Sequence, residues 1–321
     1  MSDRVSPVRL FAAGVVGLAL LAPLGIALAG LSGIGHRWVD ILAQFTGPAL
    51  AAAIVGLAAA ALVRVRGLIV AAAGVCVLTL AAGWSQWAPP RGKAEAGSPG
   101  FTLYSANLYV RNIDVAAMAA SIAAADADVV VLVEVGNAPR AAIDRILVGY
   151  PYRVVTGRLD RPDGPALSLI ASRRPLRDIE LRIPVLHVVG AVAETPLGPV
   201  TIAGVHFTRP WPYQVQWEQI RQAEGLSNWA ASVEGPVIAA GDFNSVAGAR
   251  IGKIIRIDGG LIPAPGWPGT WPSPLPAFAG MTIDQVYRSP ELAVVDRRLG
   301  RPTGSDHRPV ITRFVRAAPA G

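Results

Sequence analysis

Three long stretches within the first 87 residues contain no charged side chain: Leu10 to Leu31, Ile41 to Val63 and Gly67 to Trp87. Each is close to the ~20 residues that an α-helix needs to cross a hydrocarbon layer. In lipid the backbone must satisfy its own polar groups, so such runs commit the start of the chain to membrane helices. Their Gly and Ala residues and Pro23 are compatible with that environment. A cleaved signal peptide would account for the first run, with Arg4 and Arg9 as its basic flank. That run is long for the purpose, however, and two more follow it. A buried helical bundle would account for all three, but none has a polar face to turn towards water.

Orientation follows from the basic residues. Arg4 and Arg9 flank the first run, and Arg64 and Arg66 fill the tight turn between the second and third; these positions are expected in the cytoplasm. Trp38 lies on the opposite side, and Trp84 and Trp87 mark where the third run leaves the bilayer. Three crossings then carry everything after about residue 90 out of the cytoplasm. The single cysteine, Cys76, sits inside the third run and reads as a small packing residue.

The expected organisation is a three-helix transmembrane anchor over residues 1–88, a Pro/Gly/Ser-rich linker over 89–100, one catalytic domain over 101–316 and a tail over 317–321. Residues 1–95 hold 7 of the 29 Lys and Arg and 3 of the 22 Asp and Glu. The remaining 22 basic and 19 acidic residues nearly balance, which does not describe a strong nucleic-acid-binding surface.

Apolar runs predict strands at 101–108, 128–134, 151–156, 166–172, 179–183, 188–195, 199–206, 236–241, 283–288, 292–298 and 309–315. Helical spacing fits 114–125, 138–147, 213–232 and 247–255. Early β-α-β alternation gives way to several strands without helices between them. That mixture predicts an α/β (α+β) four-layer sandwich of two mixed β-sheets flanked by helices. The stretch 258–282 is a long loop rich in Pro and Gly, with Trp267 and Trp271. Its length predicts a cover over the site that also touches the membrane interface, the alternative being tryptophans packed onto the domain's own surface.

Polar residues recur where these strands end. Gly241-Asp242-Phe243-Asn244 follows the strand at 236–241, and Ser305-Asp306-His307 precedes the one at 309–315. Asn107, Glu134 and His206 close three further strands, and Asp284 opens another. Alone, Gly-Asp-x-Asn is as often a simple turn, and Glu134 reads equally as a metal ligand or as a cap for the helix near 138. Six such segments together suggest one shared site. Carboxylates, amides and imidazoles suit metal-assisted attack on a phosphate. The other two histidines, His36 and His187, are expected at the surface without a role.

Over roughly residues 100–316 the chain resembles the endonuclease/exonuclease/phosphatase superfamily. The resemblance rests on Asn107, Glu134 in Leu-Val-Glu-Val, Gly164 to Pro175, His206, Gly-Asp-Phe-Asn, Ile283-Asp284 and Ser-Asp-His-Arg-Pro-Val, in that order. With its apolar leader it looks like a membrane-anchored bacterial branch that includes glycopeptide-resistance-type membrane proteins. The resemblance implies Glu134 as ligand of a divalent cation, Mg²⁺ or alternatively Mn²⁺, with Asn107 and Asp306 close by. It implies Asp242 as the base that orients and deprotonates water, and Asn244 as the holder of a phosphoryl oxygen. His206 would stabilise the phosphate or the leaving oxygen, and Asp284 would buttress His307. Two positions depart from many relatives: Val133 stands where Gln is common, and Gln285 where His or Tyr is common.

The function expected is a phosphoric ester or anhydride hydrolase in the bacterial inner membrane, its catalytic domain outside the cytoplasm. Its expected partners are the lipid bilayer and a lipid-linked phosphate, pyrophosphate or phospholipid head group. Arg209, Trp211 and Trp217 are placed to contact head groups, or else pack on the core. Two alternatives stand: an extracytoplasmic Mg-dependent nuclease, less favoured by the charge balance, and a catalytically silent envelope binding protein. No protein partner is evident from the residues.

Overall fold

The computed structural model describes residues 6–160, 166–181, 183, 187–210, 212 and 216–319. The chain begins with α1 (Pro7–Ser32), α2 (Arg37–Ala43), α3 (Thr46–Val63) and α4 (Arg66–Trp87). Among the described residues α1, α3 and α4 are long and apolar enough to cross a membrane, with mean hydropathies of 2.3, 2.0 and 2.1. They pack together through Leu20, Ala53, Ala60, Ala72 and Val75, while Phe11, Leu18, Val55 and Leu62 are left uncovered on the outside. Arg9 crosses to the end of α3 and donates to the carbonyls of Val63 and Arg64, a cation at the negative end of a helix.

The second apolar run is not one helix. It breaks at Gln44 and Phe45, whose N–H groups turn back to Ile41 and Leu42. Pro48 supplies the reason: in a continuous helix its nitrogen would have to donate to the carbonyl of Gln44, and its ring would press on that carbonyl. Near the start of a new helix Pro is tolerated. The break frees α2 to lie against the domain that follows.

That domain continues with β1 (Gly100–Asn107), α5 (Val115–Ala125), β2 (Val129–Val135), α6 (Asn137–Ala141), α7 (Ile143–Ile146), β3 (Tyr152–Val155) and β4 (Leu167–Ser172). There follow β5 (Leu176–Asp178), β6 (His187–Thr195), β7 (Gly198–His206), α8 (Gln216–Ser232), β8 (Val237–Asp242) and α9 (Arg250–Ile257). Next come β9 (Ile262–Pro263), β10 (Asp284–Arg288), β11 (Leu292–Leu299) and β12 (Val310–Arg316). The strands form two six-stranded sheets, ordered β11-β12-β1-β2-β4-β3 and β5-β6-β7-β8-β10-β9. Both are mixed: β1 runs parallel to β2 and antiparallel to β12, and β7 runs parallel to β8 while β10 opposes it.

Alternation along the strands builds the layers. Val129 and Val131 join Ile202, Ile238 and Val286 between the sheets, whereas Val130 and Leu132 face α5 and α7. Ala203, Val205 and Ala239 turn the other way, onto α8 and α9. The result is the four-layer sandwich of two mixed sheets flanked by helices.

Three expectations need correction. The strand expected at 179–183 lies earlier, at Leu176–Asp178, because pairing with β6 runs from Ala193 back to Ala191; residue 182 is outside the described set. The helix expected at 138–147 is two short ones, α6 and α7. Residues 213–215 of the expected 213–232 helix are not described. Residues 89–100 are fastened to the domain rather than hanging as a free linker. Pro90 accepts from Arg288, Arg91 from the N–H of Val294, and Glu95 donates to Arg316.

Candidate active site

The period of two places the polar strand ends. Asn107, His206, Asp242 and Asp284 share the parity of inter-sheet residues such as Leu103, Ile202, Ala240 and Val286, so all four point into the end of the gap between the sheets. His206 lies opposite Asp242 across β7 and β8, and Asp242 opposite Asp284 across β8 and β10. Glu134 has the wrong parity, since Val130 and Leu132 face the helices. Register with β4 shifts between Leu132 and Val135, and Glu134 adopts φ 52°. This bulge re-aims the carboxylate inward. A left-handed backbone at a non-glycine residue costs of order 1–3 kcal/mol and collects at functional sites. Glu134 does not cap the next helix: Gly136 is the N-cap of α6, and no side chain bonds there.

The groups meet closely. Glu134 Oε1 is 3.3 Å from His206 Nε2, and Asp242 Oδ2 is 3.8 Å from that nitrogen and 3.9 Å from His307 Nε2. Asn107 donates Nδ2 to Glu134 Oε1 and to Asp242 Oδ2, both at 3.0 Å. Its Oδ1 accepts from the N–H of Tyr109 at 2.8 Å, which fixes the amide's direction. Asn107 therefore turns its nitrogen inward and orders the two carboxylates. Glu134 Oε2 is held by the N–H of Val110.

Asp242 follows Gly241, whose φ of 140° and close approach to β7 exclude a side chain: an added Cβ would sit 2.0 Å from the Val205 carbonyl oxygen. After it the chain turns back, with Asn244 at φ 47° donating its N–H to Asp242 Oδ1 at 2.8 Å. The Asn244 amide nitrogen donates to the Phe207 carbonyl at 2.9 Å and to Asp242 Oδ2 at 3.3 Å, so any phosphoryl contact requires it to release one of these. Gln285, at the departing position, donates to the Ser245 carbonyl and ties β10 to this turn.

His307 Nδ1 lies 2.9 Å and 3.0 Å from the two oxygens of Asp284, and both residues are buried. The backbone N–H groups of Ile283 and Asp284 both donate to Thr270 Oγ1, which fixes the carboxylate's strand end. Burial alone pulls the imidazolium down, but the charges of Asp284 and Asp242 outweigh it and push the His307 pKa up to about 10. Burial pushes the Asp242 carboxyl above its ordinary range, while His307 draws it back. A carboxylate of raised basicity beside a charged imidazole suits proton removal from water.

The donor set fits a hard divalent cation. Glu134, His206 and Asp242 each bring a ligand atom within 4.8 Å of the others, as do Asp242, Asp284 and His307. Asp306 Oδ1 is buried without a hydrogen-bond partner among the described residues and lies 3.9 Å from His307 Nε2. Its Oδ2 accepts from Trp271 Nε1 at 3.2 Å.

The 258–282 stretch forms a wedge between the site and the N-terminal helices. Trp271 holds Asp306, Ser273 donates its N–H to the Asp306 carbonyl, and Trp267 meets Trp87 of α4 edge-on at 5.6 Å. The loop supplies Trp271 and Met281 to the wall of the cavity beside the cluster, and Trp267 meets α4 rather than the domain's own surface. A cavity of about 260 Å³ opens beside the cluster, lined by Asn244, Asp306, His307, Arg209, Trp271 and Gln44. Gln44 lies between α2 and α3, outside the sandwich, and was not anticipated. Its signal was an amide inside an otherwise apolar run. Trp217 is 66% exposed on α8 rather than buried in the core, and Trp211 lies outside the described residues. His36 is exposed, as expected.

Two stacked mixed sheets with acids, amides and imidazoles gathered at one end define a four-layer α/β protein of the phosphoesterase type. The chain belongs to the Endonuclease/Exonuclease/phosphatase family, whose model matches residues 104–307 and whose members are usually hydrolases of phosphoester bonds. No curated protein gave a match. Among solved structures, an endonuclease/exonuclease/phosphatase from Beutenbergia cavernae is 19% identical at a TM-score of 0.54, over 68% of this chain and 72% of its own. A family protein from Bacteroides thetaiotaomicron is 16% identical at 0.55, over 69% and 99%. The catalytic domain of human Nocturnin, solved with a bound sulfate anion, is 18% identical at 0.52, over 68% and 94%. At these identities the likeness is one of fold.

Proposed function

We propose that this protein hydrolyses a phosphoric ester or anhydride on a lipid-linked phosphate, pyrophosphate or phospholipid head group at the outer face of the bacterial inner membrane. One observation carries the reading. The wall of the catalytic cavity includes Gln44, two residues before the first residue of the membrane helix Thr46–Val63. Two non-helical residues reach at most about 7 Å, so the cavity wall lies within that distance of the start of a span, near the level of lipid phosphates. A substrate could reach the cluster without leaving the bilayer, and confinement to that plane raises its effective concentration. Exposed Trp217 on α8 suits the same interface. The outward orientation is supported by Arg9, Arg64 and Arg66 at the end of the bundle away from the domain.

Glu134 and Asp306 are the ligands we assign to Mg²⁺, or Mn²⁺ in its place, with Asn107 ordering Glu134 and Asp242. When bound, such a cation neutralises phosphoryl oxygens and polarises the bond to be broken. Asp242 orients a water and takes its proton. His307, kept charged by Asp284, meets the negative charge that grows on the pentacovalent phosphorus, so it favours the transition state over the substrate. His206 assists the phosphate or the leaving oxygen, and Asn244 turns its amide from the Phe207 carbonyl to a phosphoryl oxygen.

The test uses the purified full-length chain in detergent with Mg²⁺, offered polyprenyl pyrophosphate, phospholipids, and single- and double-stranded DNA. Phosphate or head-group release from a lipid is the expected result. Efficient DNA cleavage with silent lipids would overturn the substrate class, and silence on every substrate would leave a binding protein.

A further inference from the structure

We propose that Gln44, supplied by the membrane anchor rather than by the catalytic domain, is a substrate-binding residue that donates its side-chain N–H to a phosphate oxygen. The inference rests on the reading of the site as a phosphate hydrolase and assigns a residue outside the family's domain to it.

Gln44 lines the same cavity as Asn244, Asp306 and His307, yet precedes the domain by more than fifty residues of chain. It is only 4% exposed, and its Nε2 is buried with no hydrogen-bond partner among the described residues. Leaving a buried donor unsatisfied costs about 1–3 kcal/mol, so native proteins rarely do it without cause. The nitrogen is closed off from solvent as it stands; a rotation of the amide towards the cavity brings it to an oxygen of the ligand, the acceptor that removes the penalty.

The backbone that carries Gln44 is fixed from both sides. Asp40, four residues earlier, accepts from the backbone N–H of Arg250 at 2.6 Å and from the side chain of Gln216. Phe45, the next residue, packs against Val246, Ala249, Met281 and Ile283. Gly47 lets α3 approach the 258–282 wedge so closely that a Cβ would lie 2.6 Å from the carbonyl oxygen of Gly280. Thr46 is tied to α4, accepting from Gln86 Nε2 at 2.6 Å. With the backbone held this firmly at the cavity wall, only the side chain of Gln44 is left to be ordered when a ligand arrives. An amide also suits the task chemically: it donates to a phosphate oxygen without adding a negative charge beside the acidic cluster.

The experiment compares full-length wild type with Gln44→Leu and Gln44→Glu in detergent, loaded with Mn²⁺. Calorimetric titration with inorganic pyrophosphate reads binding, steady-state kinetics on polyprenyl pyrophosphate in mixed micelles reads KM and kcat, and thermal unfolding reads stability. Gln44→Leu fills similar space without an orphaned donor, so its Tm stays level or rises. Its pyrophosphate Kd and its KM for the lipid rise about tenfold, the worth of one hydrogen bond to a charged group, with kcat little changed. Gln44→Glu, which repels phosphate, loses more. Unchanged pyrophosphate affinity in both variants overturns the assignment, as does a fall in Tm unaccompanied by any binding change, or a wild type that does not bind pyrophosphate. If pyrophosphate binding falls in the variants while the wild type leaves polyprenyl pyrophosphate intact, Gln44 keeps its role and the lipid substrate is the part that fails.

Discussion

Replacing Trp271 by phenylalanine tests the proposed metal site through a single proton. The indole Nε1–H donates to Asp306 Oδ2 at 3.2 Å, and the other oxygen of that carboxylate is buried without a partner among the described residues. One N–H therefore sets the direction in which Asp306 aims. Phenylalanine keeps much of the ring and removes the donor. A hydrogen bond to a charged group contributes about 1.5–3 kcal/mol. Losing a group that orients a metal-binding carboxylate costs about 10–100-fold in metal affinity, equivalent to about 1.4–2.7 kcal/mol. The two ranges overlap, so Trp271→Phe should weaken Mn²⁺ binding about 10–100-fold. Calorimetric titration of the full-length protein in detergent measures it, with thermal unfolding to show that the fold persists. Trp267→Phe is the control, because that ring meets Trp87 of α4, and its Mn²⁺ affinity should not move. Unaltered affinity in a folded Trp271→Phe protein would refute Asp306 as a ligand held by this indole.

Asp242→Asn and His307→Ala should each abolish phosphate release without unfolding the chain; full activity in either, measured by phosphate detection, removes the proposed roles. Gly241→Ala should cost about 4 kcal/mol or more, because its Cβ would lie 2.0 Å from the Val205 carbonyl oxygen, and a Tm close to wild type would contradict the packing. His307 has a folded pKa raised from 6.5 to about 10, so the stability it contributes is complete below 6.5 and is lost as pH rises through 10. In metal-free protein, Asp284→Asn should bring that alkaline loss of Tm to lower pH; an unmoved profile would show that Asp284 does not hold the proton.

Most of the fold was legible because burial on one or both faces of a strand leaves a period in the residues. Val129 to Val133, Val200 to Val205 and Val237 to Ala240 carry that signal, and the site residues could be found at their ends. The placement of Glu134 was legible only in part. Its neighbours announce a strand, but parity turns it away from the site, and the bulge that reverses it has no mark in composition. Asn107 stands at the strand end that reaches the cluster, yet which atom of its amide faces inward depends on the N–H of Tyr109, a contact made two residues on. The break at Gln44 did have a mark, Pro48, but the surrounding alanines and leucines suggest an uninterrupted helix. Residues 89–100 look like a tether by composition, and only their pairing with β11 and β12 makes them part of the domain.

The row formed by His206, Asp242 and Asp284 on three adjacent strands has a consequence for how this molecule can fail. Side chains on a pleated strand alternate sides, so a slip of β8 by one position would throw its acid out of the gap and bring a glycine in. Intermediate, half-working alignments do not exist on such a lattice. Damage to the central strands should therefore appear as a shrinking fraction of fully competent molecules rather than as a uniform population with diminished turnover.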